Sequence, residues 1–443
     1  MKKNILVLGA GFVSGPLVRY LLELPEISLT VASRTLSKAQ KRIGNHPRGR
    51  AAALDVENAE ALRAAVSAAD IVISLLPWVH HLSVARQCLD LGKDMVTTSY
   101  VKGEMEELAP EAEKKGLLFL NEIGVDPGID HMAAMRVIDR VKQSGGEITR
   151  FYSYCGGLPA PESDNNPFGY KFCWSPAGVL LAARNAGRYL KEGKTVDIPA
   201  EKLFRHYWFV DVPGAGTFEA YVNRDALPYI RIYGIDSVQS IYRGTLRNIG
   251  HCDSWDAFKR LGLLEQEPLF DFRKKGPGAV IAEKIGSDGK NLIKDTAKFL
   301  HLPEHSVTLK KMEWLGLFSD APLPLEKAPL FDMFARLLQE KLVYGEKESD
   351  MLIQHHEFRA QYPDGKTENI ISTMTDKGIP GGDTSMSRTV GLPAAIAVKG
   401  MTEGKISLKG VQRPVMPEIY GPVLSELETQ GIFLKEKIIS GGN

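Results

Sequence analysis

"KKNILVLGAGFVSGPLVRYLLELPEI", Lys2 to Ile27, decides the fold. Its short apolar run, Ile5 to Leu8, has the character of a buried parallel strand. Gly9-Ala10-Gly11 makes a turn, and Phe12 to Leu24 then has helical spacing, with Val13, Leu17, Leu21 and Leu24 on one face. Pro16 falls in the first helical turn, where a missing amide hydrogen costs little, and Pro25 closes the helix. The glycine pattern is GxGxxS followed by Gly15, not a strict GxGxxG. Gly9 permits the tight turn, and Gly11 lets the backbone approach a pyrophosphate at the helix N-terminus. Ser14 replaces a glycine whose main use is close helix-to-strand packing. Taken alone, the motif is also what an ordinary glycine turn looks like.

The surrounding pattern decides between the two. Strands are expected at Ser28–Ala32, Ala51–Val56, Asp70–Leu76, Asp94–Thr98 and Leu117–Glu122. Helices are expected between them, after Thr35, at Asn58–Ala68, near Val84–Leu91 and at Glu104–Lys114. Alternating strands and helices with short connections imply right-handed crossovers and a parallel sheet. Six strands in this order predict an α/β fold with a Rossmann parallel sheet. Such a sheet binds its ligand beyond the carboxyl ends of the strands. The segments there are "SLLPW" (Ser74–Trp78), "TTSYV" (Thr97–Val101) and "NEIGVDPGIDH" (Asn121–His131).

The second strand runs into "LTVASRTLSKAQ", Leu29 to Gln40. Many dinucleotide-binding chains carry an acid about 20 residues past the glycine turn, where it binds the ribose hydroxyls. Ser33, Arg34 and Thr35 stand there instead. A carboxylate would repel a 2′-phosphate, whereas hydroxyls and a guanidinium suit one, with Lys38 a helical turn later adding charge. The expected cofactor is NADP(H) rather than NAD(H). Solvated positions at a helix start account equally for Arg34 and Lys38 taken singly.

At 443 residues the chain is long for one core, so two or three domains are expected. From Glu147 onward, "EITRFYSYCGGLPAPE" opens a new strand. Strand-like stretches recur at Phe204–Val212 and Ile230–Tyr233, with a helical segment near Pro176–Lys191. A mixed α/β domain fits. Residues from about Asp253 to Phe318 look helical, Asp350–Ala360 alternates like a strand, and helices are expected at Thr384–Lys399 and Pro417–Thr429. The last of these is placed to pack back on the first domain.

Hydrophobic residues at 44% and charged residues at 25% match an ordinary globular protein. A net charge of +1 gives no electrostatic ground for nucleic acid or a membrane surface as partner. The cysteines, Cys88, Cys155, Cys173 and Cys252, have no metal-ligand spacing and read as free thiols of a reducing cytoplasm, so no metal is expected. The apolar run after Lys3 is too short for a signal peptide, and no run approaches the roughly 20 residues of a membrane span. A cytoplasmic protein is expected.

A nicotinamide domain joined to a second α/β domain suggests a dehydrogenase. Arg224 in "YVNRDALP", and Arg243 and Arg247 in "IYRGTLRNIG", are candidates to bind a carboxylate through paired hydrogen bonds. A surface salt bridge accounts for any one of them as well. Near the nicotinamide end the titratable groups are Asp126, Asp130, His131 and Lys102, with Ser99 and Tyr100 as substrate contacts rather than nucleophiles. No Ser-His-Asp spacing, zinc motif or P-loop competes.

These segments together resemble the NADP-dependent, glutamate-forming saccharopine dehydrogenases. "GAGFVSGP", "VASRTLSKAQ", "VISLLPW", "VTTSYV", "NEIGVDPGIDH", "SYCGGLPAPESDNNPFGYKF", "SPAGVLLAARN", "NRD", "YRGTLR" and "TVGLPAAIA" follow the family's order at similar spacing. The resemblance implies three parts. Residues 1–130, completed by about 395–443, form the NADP-binding Rossmann domain. Residues 131–252 and 319–394 form a mixed α/β substrate-binding and dimerisation domain, and 253–318 a small inserted helical domain. It also implies a cytoplasmic homodimer in lysine metabolism, with glutamate, aminoadipate semialdehyde and saccharopine as its small-molecule substrates. By motif, Gly9, Gly11, Phe12 and Val13 resemble the pyrophosphate turn, and Ser33, Arg34 and Thr35 the 2′-phosphate site. Leu76 and Val125 would flank the nucleotide. Ser99, Tyr100, Asp126, Arg224 and Thr245 match substrate-contacting positions, with Asp126 the preferred catalytic group. Two other functions compete: a carboxyspermidine-type dehydrogenase, and a non-catalytic NADP-sensing Rossmann protein.

Overall fold

The structure, a computed structural model, describes residues 2–441. The chain forms two compact units, Met1–Ile148 with Arg359–Asn443, and Thr149–Phe358.

The first unit begins with β1 (Lys3–Leu8), α1 (Ser14–Glu23), β2 (Ile27–Ser33), α2 (Leu36–Ile43), β3 (Gly49–Ala53) and α3 (Ala59–Ser67). It continues with β4 (Ile71–Ser74), α4 (His81–Leu91), β5 (Asp94–Thr97), α5 (Gly103–Glu106), α6 (Ala109–Lys114), β6 (Leu118–Leu120) and α7 (Ile129–Gln143). The chain leaves it in β7 (Glu147–Pro159). Strands β1 to β6 form a parallel sheet in the order β6-β5-β4-β1-β2-β3, the doubly wound arrangement expected. Ile5 to Leu8 are almost wholly buried, as strands covered on both faces require.

The second unit holds α8 (Pro176–Ala182), β8 (Gly187–Lys191), β9 (Lys194–Ile198), β10 (Tyr207–Val212), β11 (Gly216–Val222), α9 (Pro228–Tyr233) and β12 (Ser240–Arg247). Then come α10 (His251–Arg260), β13 (Phe270–Asp271), α11 (Pro277–Ile285), α12 (Leu292–Leu300), α13 (Val307–Leu315), β14 (Lys327–Ala328) and α14 (Leu330–Lys341). The unit closes within β15 (Asp350–Gln361). Strands β10, β11 and β12 run antiparallel, and β12 pairs parallel with β7, from Ser240 opposite Arg150 to Thr245 opposite Cys155. The sheet is mixed, as expected. The helices between residues 253 and 318 lie within this unit and do not form a unit of their own.

The chain returns to the first unit with β16 (Thr367–Lys377), α15 (Ser385–Thr402), β17 (Gly410–Gln412), α16 (Pro417–Thr429) and β18 (Lys435–Gly441). Residues 359–394, expected with the substrate-binding part, therefore belong to the first unit. Helix α15 packs on α1, and α16 packs on α7 and α15. Strand β17 adds a seventh parallel strand beside β6, with Val411 opposite Phe119.

Two expected elements differ. Ile230–Tyr233 is not strand but the end of α9, because Pro228 starts a helix and Gly234, at φ 60, stops it in the left-handed region. Tyr229 and Tyr233, four apart, face inward together. The helix near Pro176–Lys191 ends at Ala182, and a β8–β9 hairpin follows. Its turn residues, Glu192 and Gly193, both have positive φ, which matches the twist of a two-residue hairpin.

Candidate active site

The glycine turn after β1 is shaped as a phosphate cradle. Gly9 has φ 111, and a Cβ there would lie 2.9 Å from the Leu75 carbonyl oxygen. A Cβ at Gly11 would meet nothing within 4 Å, so this backbone borders open space. Helix α1 has no acid in its first turn and no side chain capping it, which favours an anion at this end. Phe12 is 66% exposed. Val13 is the N-cap residue, and Arg42 Nη2 donates to the Gly11 carbonyl at 2.7 Å. These features fit a dinucleotide pyrophosphate.

Ser33 ends β2, on the ligand side of the sheet, and Arg34, Thr35 and Lys38 are exposed beyond it. The Thr35 amide donates to Ser33 Oγ at 3.3 Å, which leaves the hydroxyl proton for an acceptor such as a phosphate oxygen. No acid stands in the first turn of α2. Leu76 is half-buried against the core under the sheet, and Val125 is buried.

Ser99, Tyr100 and Asp126 lie just beyond β5 and β6, all partly accessible. Tyr100 Oη donates to Asp126 Oδ1 at 2.9 Å. The turn carrying Asp126 is tight enough that a Cβ at Gly128, whose φ is 149, would lie 2.0 Å from the Gly124 carbonyl oxygen. Glycine is required there.

Behind these groups stands a buried polar network. Glu122 Oε1 accepts from the Val101 amide at 2.9 Å and from Arg413 Nε at 2.9 Å, and Oε2 meets His131 Nε2 at 2.8 Å. The Glu122 amide donates to the Ser99 carbonyl at 3.1 Å. Glu122 thus clasps Tyr100 from both flanking residues, and does so with φ at 57, a conformation that non-glycine residues rarely adopt. Burial pushes the Glu122 carboxyl up, but His131, Arg413 and the Val101 amide more than offset this and hold it at about 2.

Asp130 and His131, considered from sequence as proton carriers, are buried in the first turn of α7. Asp130 Oδ1 accepts from the Gly128 amide at 2.6 Å, which gives it a structural task. Lys102 Nζ lies 3.1 Å from the centroid of the exposed Trp78 ring. Sequence reasoning missed Glu122 and Arg413, as well as His81 at the start of α4. A histidine beginning a helix carries no pattern that sets it apart.

In the second unit, Arg224 is exposed and held at φ 63, and Thr245 is half-buried on β12. The Asn223 amide donates to the Arg243 carbonyl at 2.8 Å, joining "NRD" to "YRGTLR". Arg243 and Arg247 are not surface residues. Arg243 is buried with its guanidinium 4.3 Å from the Tyr229 ring centroid, and Arg247 lies 5.0 Å from that of Tyr170. Arg247 Nε is buried with no hydrogen-bond partner among the described residues, a donor that suits an anion. Among the described residues, no group of three or more His, Cys, Asp or Glu is placed to hold a metal ion, and no helix is long and apolar enough to cross a membrane.

Two family models match the chain in sequence order. Residues 5–120 match the saccharopine dehydrogenase NADP binding domain, and residues 124–432 the saccharopine dehydrogenase C-terminal domain. The chain is 40% identical to the NADP(+), L-glutamate-forming saccharopine dehydrogenase of Schizosaccharomyces pombe, over 98% of this chain and 99% of that one. It is 36% identical to the rat mitochondrial alpha-aminoadipic semialdehyde synthase, over 97% of this chain and 47% of that longer protein. A solved apo structure of the L-Glu-forming saccharopine dehydrogenase from Saccharomyces cerevisiae superposes with a TM-score of 0.91 at 37% identity, over 99% of this chain and all of that one. With both family domains matched in order and the Schizosaccharomyces pombe relative covered over 99% of its length, the chain belongs to the saccharopine dehydrogenase family.

Proposed function

We infer that this protein is an NADP-dependent oxidoreductase acting on a CH–NH bond, the glutamate-forming saccharopine dehydrogenase reaction of lysine metabolism. One observation carries the inference: similarity to glutamate-forming relatives extends over essentially the whole chain of both partners. The amine of glutamate adds to the aldehyde carbon of aminoadipate semialdehyde, and loss of water leaves a C=N bond. NADPH, when bound, supplies the hydride for that carbon. A proton joins the nitrogen, and the secondary amine of saccharopine results. The reverse sequence regenerates glutamate.

Gly9, Gly11, Phe12 and Val13 hold the pyrophosphate, and Ser33, Arg34 and Thr35 the 2′-phosphate, with Leu76 and Val125 beside the nucleotide. Ser99, Tyr100, Arg224 and Thr245 bind the substrate. Asp126 is the group assigned to the substrate nitrogen, oriented by the Tyr100 hydroxyl that it accepts. In this scheme residues 1–130 with about 395–443 bind NADP(H). The second unit, Thr149–Phe358, binds substrate and dimerises, with the helices of 253–318 inside it. The protein works as a cytoplasmic homodimer. Neither a carboxyspermidine-type dehydrogenase nor an NADP sensor accounts for end-to-end similarity to glutamate-forming enzymes.

The deciding assay follows absorbance of the reduced nicotinamide with aminoadipate semialdehyde and glutamate supplied together. NADPH oxidation is expected, with far weaker activity on NADH. No absorbance loss with that pair would overturn the assignment. A narrower prediction concerns Tyr100→Phe, which removes the hydroxyl that donates to Asp126. A bond to a charged group contributes about 1.5–3 kcal/mol, so kcat/KM for saccharopine should fall roughly tenfold or more with NADP affinity unchanged. An unaltered kcat/KM would remove Asp126 and Tyr100 from the assigned machinery.

A further inference from the structure

His81 is a buried titratable group that the scheme above does not use. It opens α4, and its ring lies between the ends of β4 and β5. Nδ1 is 2.9 Å from Ser74 Oγ, and Nε2 is 2.8 Å from Ser99 Oγ and 3.4 Å from Thr97 Oγ1. Ser74 and Thr97 are wholly buried, whereas Ser99 is partly accessible. The three groups form one chain, from the core of the sheet to its ligand side.

The direction of that chain follows from hydrogen-bond accounting. Ser74 is buried, and among the described residues the ring nitrogen is its hydroxyl's one side-chain or backbone partner. Its proton must go to His81 Nδ1, since a buried hydroxyl donor without an acceptor is costly. Nδ1 is then the bare nitrogen, and Nε2 carries the hydrogen. Nε2–H donates to Ser99 Oγ, with Thr97 Oγ1 as a weaker second acceptor. A serine oxygen already receiving a proton from the ring is left with its own proton to give. Ser99 faces the ligand side as a donor. Burial, with a smaller contribution from His80, holds the His81 pKa down at about 4, so the ring stays neutral and this tautomer persists at neutral pH.

We propose that His81 is a positioning residue that fixes Ser99 Oγ as a hydrogen-bond donor to a carboxylate oxygen of the amino-acid substrate. The proposal rests on the assignment of Ser99 as a substrate contact. Its chemistry is selective in a simple way. A polarised donor favours a carboxylate and disfavours an ammonium or amide N–H at that position, so the Ser74–His81–Ser99 chain discriminates acidic from basic substrate ends. The opposite tautomer would turn Ser99 into an acceptor and reverse the preference.

The test uses steady-state kinetics of the full-length protein with saccharopine and NADP, comparing Ser99→Ala, His81→Asn, His81→Gln and Ser74→Ala. Glutamine can place an N–H near the position of Nε2, whereas asparagine reaches only as far as Nδ1. Ser99→Ala and His81→Asn are each expected to raise the KM for saccharopine about tenfold, with kcat and the KM for NADP within about twofold. His81→Gln should restore the KM to within about threefold, and Ser99→Ala/His81→Asn should be no worse than Ser99→Ala alone. Ser74→Ala removes one buried hydroxyl and little volume, and it should raise the same KM about two- to threefold by releasing the tautomer. It carries the test should His81→Asn not fold. A normal KM in Ser99→Ala would overturn the substrate contact itself. A raised KM in Ser99→Ala beside a normal one in both His81→Asn and Ser74→Ala would overturn the positioning role alone. So would additive losses in the double variant, or equal losses for saccharopine and NADP.

Discussion

The double substitution Ser33→Asp, Arg34→Ala is expected to raise the KM for NADPH by about 10²-fold or more while changing that for NADH by less than about threefold. Ser33 is the last residue of β2, and Arg34 extends from the loop beyond it into solvent. The Thr35 amide occupies one acceptor site of Ser33 Oγ, so the serine proton is directed to another oxygen. With a 2′-phosphate there, the wild type makes a hydroxyl bond and a guanidinium bond to a dianion. Hydrogen bonds to charged groups contribute about 1.5–3 kcal/mol each, and losing two of them spans roughly two to four powers of ten. Aspartate adds repulsion against the phosphate, yet for NADH it supplies the acceptor pair that ribose hydroxyls use. The two cofactors therefore respond to very different extents. Measurement of kcat/KM for both cofactors checks this, and equal losses would show that these residues do not read the 2′-phosphate.

The same two residues show what could be read from sequence and what could not. The β1–turn–α1 unit is legible because every signal in it is local: an apolar run, a glycine turn, then helical spacing. The missing acid is legible because it is a departure at a position defined by those neighbours. Strand β17 is not, since Gly410–Gln412 is three residues long and becomes a strand only by pairing with β6, far away in the chain. Arg413, immediately after it, bonds a carboxylate 291 positions earlier. His81 likewise acquires its role from two strand ends that the parallel sheet brings side by side. Arg243 and Arg247 could be singled out as carboxylate binders, but their burial against tyrosine rings depends on the mixed sheet. Ile230–Tyr233 departs from its sequence expectation for another reason. Its aromatic and β-branched side chains fit a strand, and the outcome turns on a proline before and a glycine after.

Glu122 provides the second large effect. Glu122→Ala should lower the stability of the first unit by about 3–5 kcal/mol, because Arg413 loses the buried charge that compensates it and His131 loses a hydrogen-bond partner. Against a usual total of about 5–15 kcal/mol this is a large fraction, visible as a lower denaturant midpoint. Activity should fall as well, since the carboxylate and amide of Glu122 hold the residues on both sides of Tyr100. Glu122→Gln separates charge from shape and makes the pH dependence decisive. The folded carboxyl is held at about 2, below its ordinary 4.5. A depressed folded pKa contributes stability that is fully present above the unfolded value and is lost as pH falls through the folded one. The advantage of wild type over Glu122→Gln should thus be about 3 kcal/mol at neutral pH and shrink between pH ~4.5 and ~2, where the wild-type carboxyl becomes neutral like the amide. Equal denaturant midpoints for the two proteins at neutral pH would show that the network contributes no net stability. A gap that persists undiminished to pH ~2 would trace the loss to shape rather than to charge.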